Sequence, residues 1–131
     1  MGRIVPPTKE TIMPVTTTSR DETIAKLNDR CRLGLDRTAR ILITRSCLGT
    51  FASGSTADGL LAQAQLMAAV RRHTFAEADA AIRDRGQFEF RGTTVFFRID
   101  YYDLALDYGS EDPADANVTT RVLTIMLRED L

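Results

Sequence analysis

The chain has little of the chemistry that enzymes most often use. It contains one histidine, His73, and two cysteines, Cys31 and Cys47, in 131 residues. A histidine-based triad could use only His73, and the cysteines lack the spacing of zinc ligands. A Gly-x-Ser-x-Gly elbow and a lysine-containing phosphate loop are also missing. We therefore predict no catalytic residues, no metal site, no cofactor and two reduced, packed thiols.

Long apolar runs are missing too. No segment approaches the roughly 18 consecutive apolar residues that span a bilayer. The first twenty residues have no continuous apolar core of the kind a secretory signal carries. We expect a cytoplasmic protein that does not enter a membrane.

Charge is nearly balanced overall but unevenly distributed. Hydrophobic residues make up 44% of the chain, charged residues 27%, and the net charge is −1, which is typical of a globular protein. Residues 1–45 hold nine basic and five acidic residues, whereas residues 99–131 hold two basic and eight acidic ones. Because a nucleic-acid-binding domain usually has a strong basic excess, we do not expect direct nucleic-acid binding.

The pattern predicts one domain preceded by an arm. Residues 1–18 mix three prolines with a threonine run, which is typical of a flexible segment. Residues 19–131 have the length of a single domain. Its first helix should begin at Ser19, which forms a capping box with Glu22, and should end near Gly34.

The next region predicts a strand and two helices. Residues 39–46 are short, β-branched and apolar, which indicates a buried strand. A helix capped by Ser55 or Thr56 should follow. Its expected apolar face consists of Leu60, Leu61, Ala64, Met67 and Ala68. Residues 74–86 open with another capping-box pair and predict a further short helix.

The clearest local pattern lies in residues 87–102. Two alternating segments flank Arg91 and Gly92, which predicts a β-hairpin. Beyond this turn, one face should hold Val95, Phe97, Ile99 and Tyr101. The opposite face should hold Phe96, Arg98, Asp100 and Tyr102.

Residues 112–131 fit both a helix and a strand. Their β-branched residues favour a strand, but Val118, Val122 and Ile125 cluster at helical spacing and Pro113 suits a first helical turn. We predict a final helix. The expected fold is therefore α+β, a small antiparallel sheet with a β-hairpin and three or four helices packed against it. The expected core comprises Ile24, Leu27, Ile41, Ile43, Leu61, Met67, Phe97, Ile99, Val122 and Ile125.

Residues 99–115, IDYYDLALDYGSEDPAD, hold three tyrosines, five aspartates and one glutamate without a basic residue. Glu111, Asp112 and Asp115 would stabilise the start of the final helix. The other acidic residues have no such explanation, and an aromatic, acidic surface suits protein recognition. The predicted partner-binding residues are Asp100, Tyr102, Asp103, Asp107, Tyr108 and Glu111.

Two stretches resemble a known family. Residues 27–45, LNDRCRLGLDRTARILITR, and residues 95–130, which begin VFFRIDYYDLALDYG, are similar to the bacterial family catalogued as domain of unknown function 3768. The resemblance covers most of the chain after residue 22. It implies a small bacterial cytosolic protein that is often encoded on mobile elements, and it supplies no activity or site residues.

The favoured hypothesis is a small non-enzymatic protein-interaction module from a bacterial mobile element, acting through the acidic, tyrosine-rich face. The mobile-element setting suggests an inhibitor of a host defence system, of the antirestriction or anti-CRISPR type. The alternative is a small hydrolase or metal-assisted enzyme that uses Asp100 and Asp103. We expect a protein partner, and a homo-oligomer stays open.

Overall fold

The computed structural model describes residues 20–131. This part of the chain contains three α-helices: α1 (residues 20–32), α2 (Arg45–Phe51) and α3 (Thr56–Arg71). The strands are β1 (Arg40–Ile43), β2 (Arg85–Phe90), β3 (Thr93–Tyr102) and β4 (Thr120–Leu127), and two 3₁₀ turns cover Glu77–Asp79 and Arg128–Asp130. The α+β class is confirmed. The predicted flexible arm and the Ser19 cap lie outside the described residues.

The four strands form one sheet in the order β1-β4-β3-β2. β3 is antiparallel to both of its neighbours, whereas β1 runs parallel to β4. The small sheet is confirmed, but it is mixed rather than antiparallel throughout. Two helices and the hairpin separate β1 from β4, and a long connection of this kind lets a chain return parallel to an earlier strand.

The hairpin of β2 and β3 turns at the predicted residues. Arg91 and Gly92 have φ angles of 51° and 82°, as a two-residue hairpin turn requires. Glycine adopts positive φ without steric cost, which suits it to the second position. The turn brings Phe90 opposite Thr93, so the alternating pattern of the two segments continues across the hairpin.

Helix α1 ends at the predicted glycine. Gly34 has a φ of 79°. The amide of Leu35 donates to the carbonyl of Arg30 at 2.8 Å, and the amide of Gly34 donates to the carbonyl of Cys31 at 3.1 Å. This pair of bonds is a Schellman motif, which satisfies carbonyls that a helix end otherwise leaves free.

The final segment is a strand, so the predicted final helix is wrong. β4 lies between β1 and β3. Leu123, Ile125 and Leu127 are buried on one face, while Val122 and Thr124 are half-buried on the other. A strand buried on both faces lacks strict polar and apolar alternation, and its apolar run imitates one side of a helix. Pairing along both edges makes β4 a strand.

β1 is exposed rather than buried. It has only four residues, and the side chains of Ile41 and Leu42 are 40% and 53% exposed because β1 lies at the edge of the sheet. The hydroxyl of Thr44 then accepts a hydrogen bond from the amide of Cys47 and caps α2. The sequence interpretation missed this helix because it assigned residues 44–46 to the strand.

Helix α3 begins at the predicted cap but buries a different face. The hydroxyl of Ser55 accepts a hydrogen bond from the amide of Asp58, as expected of an N-cap. Leu60 and Leu61 are exposed, which corrects the predicted face. The buried residues are Ala62, Leu66 and Val70, which pack into the core with α2 and the strands. The helix predicted within residues 74–86 is reduced to one 3₁₀ turn.

The core lies on one face of the sheet, which we call the covered face. Its buried members are Cys31, Cys47, Phe51, Ala62, Leu66, Val70, Val95, Phe97, Ile99, Leu123, Ile125 and Leu127. Of the predicted core, Ile24, Phe97, Ile99 and Ile125 are buried, whereas Ile41 and Leu61 are exposed. We call the opposite side of the sheet, which carries Leu42, Tyr102 and Val122, the open face.

Two arginines and one aspartate join α1 to its surroundings. Arg32 Nη1 donates to the carbonyls of Val70 and Arg71 at 3.2 and 2.9 Å, where α3 ends. The Asp29 carboxylate accepts hydrogen bonds from Nη2 of Arg32 and from Nη2 of Arg83, each at 2.7 Å. Burial alone would raise the pKa of Asp29, but the two guanidinium groups outweigh burial and hold this pKa below its ordinary value.

Candidate functional site

The chain leaves β3 through residues 103–111, which we call the acidic loop. Tyr102 pairs with Gly109 across its base. The amide of Asp103 donates to the carbonyl of Tyr108 at 2.8 Å. The loop therefore doubles back on itself as a short hairpin-like projection from the end of β3.

Two further hydrogen bonds brace the interior of the acidic loop. Asp103 Oδ1 accepts from the amide of Asp107 at 3.0 Å, and the carbonyl of Asp103 accepts from the amide of Leu106 at 3.1 Å. Leu106 has a φ of 64°. A residue other than glycine holds such a backbone conformation only where its surroundings determine it, so the loop's own bonds fix its shape.

The braced loop presents apolar side chains to solvent. Leu104 is 64% exposed, Leu106 39% and Tyr108 77%. A single exposed hydrophobic residue is ordinary on a protein surface. Three within five residues on one ordered loop form a patch, and patches of this kind mark interaction sites.

One residue of the patch, Leu106, also lines a groove on the open face. This open-face groove has a volume of about 440 Å³. It is lined by Arg40, Leu42, Tyr102, Leu106 and Val122. Three strands and the acidic loop thus contribute to one mainly apolar depression, in which Leu42 is 53% exposed.

The six predicted binding residues lie at the same end of β3 but have different surroundings. Asp100 Oδ2 accepts from Arg98 Nε at 3.0 Å, whereas Asp103 braces the acidic loop, so these two carboxylates have separate partners. Tyr102 lines the open-face groove. The exposed members of the set are Asp107, Tyr108 and Glu111.

The end of the acidic stretch forms turns instead of capping a helix. Asp112 Oδ1 accepts from the amide of Ala114 at 3.1 Å, and Asp115 Oδ1 accepts from the amide of Asn117 at 2.9 Å. Arg20 Nη1 also binds Asp112 Oδ1 at 2.7 Å. The hydrogen bonds from Arg20 and from the Ala114 amide lower the pKa of Asp112.

The apolar half of the site was missed from the sequence. Leu104 and Leu106 occur in the run DLALD, where apolar residues alternate with polar or small ones in a segment rich in turn formers. That alternation was the available signal, because apolar side chains in a polar loop need either a core or a partner. Leu42 and Val122 had no local signal, since the groove exists only after the sheet forms.

A buried polar network on the covered face was also missed. Arg121 is 1% exposed; its Nε donates to Asn28 Oδ1 at 2.8 Å and its Nη2 donates to the carbonyl of Pro113. Asn28 Nδ2 donates to Tyr101 Oη at 2.9 Å and to the carbonyl of Ile82 at 3.0 Å. Burial raises the pKa of Tyr101 to about 12, so its hydroxyl remains protonated.

The thiols and the histidine are packed within the fold. Cys31 and Cys47 are free and buried, and burial raises the pKa of each to about 11, which keeps them protonated at neutral pH. His73 packs edge-on against Phe75 and Phe97. Between residues 20 and 131, no three His, Cys, Asp or Glu side chains are grouped so that they could hold a metal ion.

Comparison with known proteins identifies a family. Residues 51–130 match the model of a family described as protein of unknown function (DUF3768). The match covers more than half of the chain and includes α3, the hairpin, the acidic loop and β4, while residues 27–45 lie outside it. No curated protein and no solved structure matches the chain. In the described part, no helix has the length and apolar character needed to cross a membrane.

Proposed function

The chain belongs to this family of unknown function, and we propose that it is a non-enzymatic protein-interaction module that binds a partner protein through the acidic loop and the open-face groove. One observation carries the proposal: a loop braced by its own hydrogen bonds exposes Leu104, Leu106 and Tyr108 beside an apolar groove. Such a loop is already ordered before it meets a partner, so association costs less conformational entropy.

The charges around the patch indicate the chemistry of the partner. Asp107 and Glu111 form no ion pair with any residue from 20 to 131. Exposed carboxylates at a rim speed the approach of a basic surface, and buried aromatic or apolar anchors supply most of the binding energy. We therefore propose a partner with an apolar pocket bordered by lysine or arginine.

The local contacts favour this proposal over the enzyme alternative. Asp100 is bound to Arg98, and Asp103 is bound to a backbone amide of the acidic loop. A hydrolase that used these two carboxylates would need both within hydrogen-bond reach of one substrate. Carboxylates held by separate partners within the fold are better suited to shaping a surface.

We infer the class of partner from the sequence resemblance and from charge. A mobile-element protein of this kind would act on a host defence system, as an antirestriction or anti-CRISPR inhibitor. Proteins that bind nucleic acid present basic surfaces, and an acidic loop is electrostatically complementary to such a surface. The inhibitor role stays a prediction.

The test uses affinity purification of the tagged full chain from its native host, followed by mass spectrometry. One variant, Leu104→Ser with Tyr108→Ser, removes the apolar anchors. A second, Asp107→Lys with Glu111→Lys, reverses the rim charge. The matched control is Leu60→Ser, because Leu60 is 62% exposed on α3, outside the proposed surface.

We expect both loop variants to lose a protein that wild type and the control retain. With that protein purified, the anchor variant should bind at least about tenfold more weakly, as loss of a central anchor predicts. Retention by both loop variants at wild-type yield would overturn the proposal. If light scattering instead shows that the wild type dimerises and the loop variants do not, the occupant is a second copy and the proposed foreign partner is wrong.

A further inference from the structure

A second cavity lies between the end of α1 and the start of β4, apart from the acidic loop. Its volume is about 410 Å³. Three arginines line it, Arg30, Arg37 and Arg121, together with the hydroxyl-bearing residues Thr38 and Thr119. We call it the arginine cavity. Its size suits a small molecule rather than a protein segment.

Arg121 is the unusual member of this cavity. It is 1% exposed, yet no carboxylate of residues 20–131 lies within 4 Å of its guanidinium. Its hydrogen bonds within that range run from Nε to Asn28 and from Nη2 to the carbonyl of Pro113, which leaves Nη1 available. A buried charge without an opposite charge is costly, so an anion beside Arg121 would be stabilised.

The other charges of the cavity reinforce the positive potential. Arg30 donates from Nη2 to the carbonyl of Leu35 at 3.2 Å, and neither Arg30 nor Arg37 forms an ion pair with residues 20–131. Asp36 is the opposing carboxylate in the lining. Its Oδ1 accepts from the amide and hydroxyl of Thr38. The lining thus contains three arginines and one aspartate.

We propose that the arginine cavity binds a small organic anion through a carboxylate or phosphate group. The oxyanion accepts hydrogen bonds from Nη1 of Arg121 and from the more exposed Arg37, because guanidinium donors form charge-assisted hydrogen bonds to such oxygens. Leu27 and Leu35 line the same cavity and contact the apolar body of the ligand. This site is additional to the proposed protein-binding surface and does not depend on it.

The test is a titration of the ¹⁵N-labelled full chain followed by NMR. The probes are inorganic phosphate and benzoate, with benzyl alcohol as the uncharged analogue and sodium chloride at matched ionic strength. The signals to follow are Arg121 Nε–H and the amide of Thr119. Because Arg121 is buried, it is left unchanged. The main variant is Arg30→Ala with Arg37→Ala, and the control is Arg45→Ala, at an exposed arginine on α2.

We expect saturable shifts with at least one of the two anions and none with chloride or benzyl alcohol. The double variant should weaken binding by about tenfold or more, since a hydrogen bond to a charged group contributes about 1.5–3 kcal/mol, and Arg45→Ala should leave it unchanged. Saturation by phosphate alone identifies a phosphate site, and saturation by benzoate identifies a carboxylate site. Shifts identical to those with chloride, or binding unchanged in the double variant, would overturn the proposal.

Discussion

The covered and open faces of the sheet differ in which side chains they bury and which they expose. On the covered face, β4 buries Arg121, whose Nε and Nη2 donate to Asn28 and to a backbone carbonyl. On the open face, the same end of the sheet leaves Leu42 and the acidic-loop residue Leu106 accessible to solvent. At this end of the molecule one charged side chain is therefore buried while apolar side chains are exposed.

Because of this difference, we expect substitutions on the covered face to change stability and substitutions on the open face to change binding. Groups on the covered face have partners within the fold, so their removal leaves cavities or unsatisfied donors. Groups on the open face and the acidic loop have few such partners, so their removal should leave the fold intact. Substitutions on the two faces can therefore test the comparison directly.

The largest effect should come from the covered face at Phe97. This side chain is 1% exposed and packs against the rings of His73 and Phe75. Phe97→Ala should lower the free energy of unfolding by about 3–5 kcal/mol because it opens a cavity in the core. The measurement is urea denaturation.

The matched open-face change is Leu42→Ala. Since Leu42 is 53% exposed, its loss should cost less than about 1 kcal/mol. If Leu42→Ala and Phe97→Ala lower the free energy of unfolding by similar amounts, the open face is as important to stability as the core. That result would contradict the difference between the two faces.

The second prediction concerns the buried network. Asn28→Ala removes the acceptor for Arg121 Nε and the donor to Tyr101 and to the Ile82 carbonyl. A buried donor left unsatisfied costs about 1–3 kcal/mol, and we expect a loss of that size on urea denaturation. Asn117→Ala, at an exposed turn, is the control and should change stability by less than about 0.5 kcal/mol. Equal values for both variants would show that the network adds nothing.

The sequence predicted those features of the covered face that are determined by residues close together in the chain. The hairpin, the two faces of β3 and the end of α1 at Gly34 follow from neighbouring residues, through alternation and the positive φ of glycine. β4 was misassigned because its pairing partners, β1 and β3, lie far away in the chain. Residues 120–127 fit a helix or a strand until those partners are present.

The candidate site was predicted in part for the same reason. The acidic and tyrosine-rich composition identified Asp107 and Tyr108, whose exposure depends only on the loop that contains them. The open-face groove brings Leu42 of β1 beside Leu106, and this contact depends on the parallel pairing of β1 with β4. The burial of Arg121 likewise depends on α1 packing over the sheet, which no local pattern encodes.

The third prediction compares alanine substitutions at two glycines, one tightly packed and one with open space around it. A Cβ atom at Gly86 would lie 2.5 Å from His73 Nε2 and 2.8 Å from a ring carbon of Phe97. Gly86→Ala should therefore destabilise the protein by about 1–3 kcal/mol through overpacking. Gly59→Ala, within α3 and with open space around the new methyl group, should stabilise it by about 0.5–1 kcal/mol. Thermal unfolding of both variants is the measurement, and a stabilising Gly86→Ala would contradict the packing described for His73.

The fourth prediction is a pH dependence that arises on the covered face. Burial, helped by the charge of Arg32 and opposed by Asp79, lowers the pKa of His73 below 6.5. The unfolded chain then binds a proton at higher pH than the folded chain, so the contribution of His73 to stability is complete above pH 6.5. It is lost as the pH falls from there to the folded pKa.

The free energy of unfolding should therefore decrease between about pH 7 and the folded pKa of His73. His73→Gln should flatten that part of the curve, because glutamine does not titrate. The lowered pKa values of Asp29, Asp112 and Asp130 remove stability as the pH falls toward and below 3.8, so the part of the curve near pH 6.5 is the part that reports on His73. A wild-type curve with the same slope as that of His73→Gln would contradict the prediction.

The smallest effect should come from the acidic loop. Asp103→Ala removes the carboxylate that accepts from the amide of Asp107 but keeps the backbone carbonyl that accepts from Leu106. Because the loop is largely exposed, the free energy of unfolding should fall by less than about 1 kcal/mol. Hydrogen exchange at the Asp107 amide should accelerate, while exchange in β3 stays unchanged.

The control for the loop is Asp107→Ala, which removes an exposed carboxylate and keeps every backbone hydrogen bond of the loop. If the bracing of the loop prepares it for binding, Asp103→Ala should weaken partner binding even though Asp103 is half-buried, because a mobile loop must be ordered on association. Asp107→Ala should instead slow association and reduce its salt dependence. An Asp107 amide that exchanges equally fast in wild type and Asp103→Ala would show that the carboxylate does not hold the loop, and the exposed apolar residues would then lack the rigid support on which the binding proposal depends.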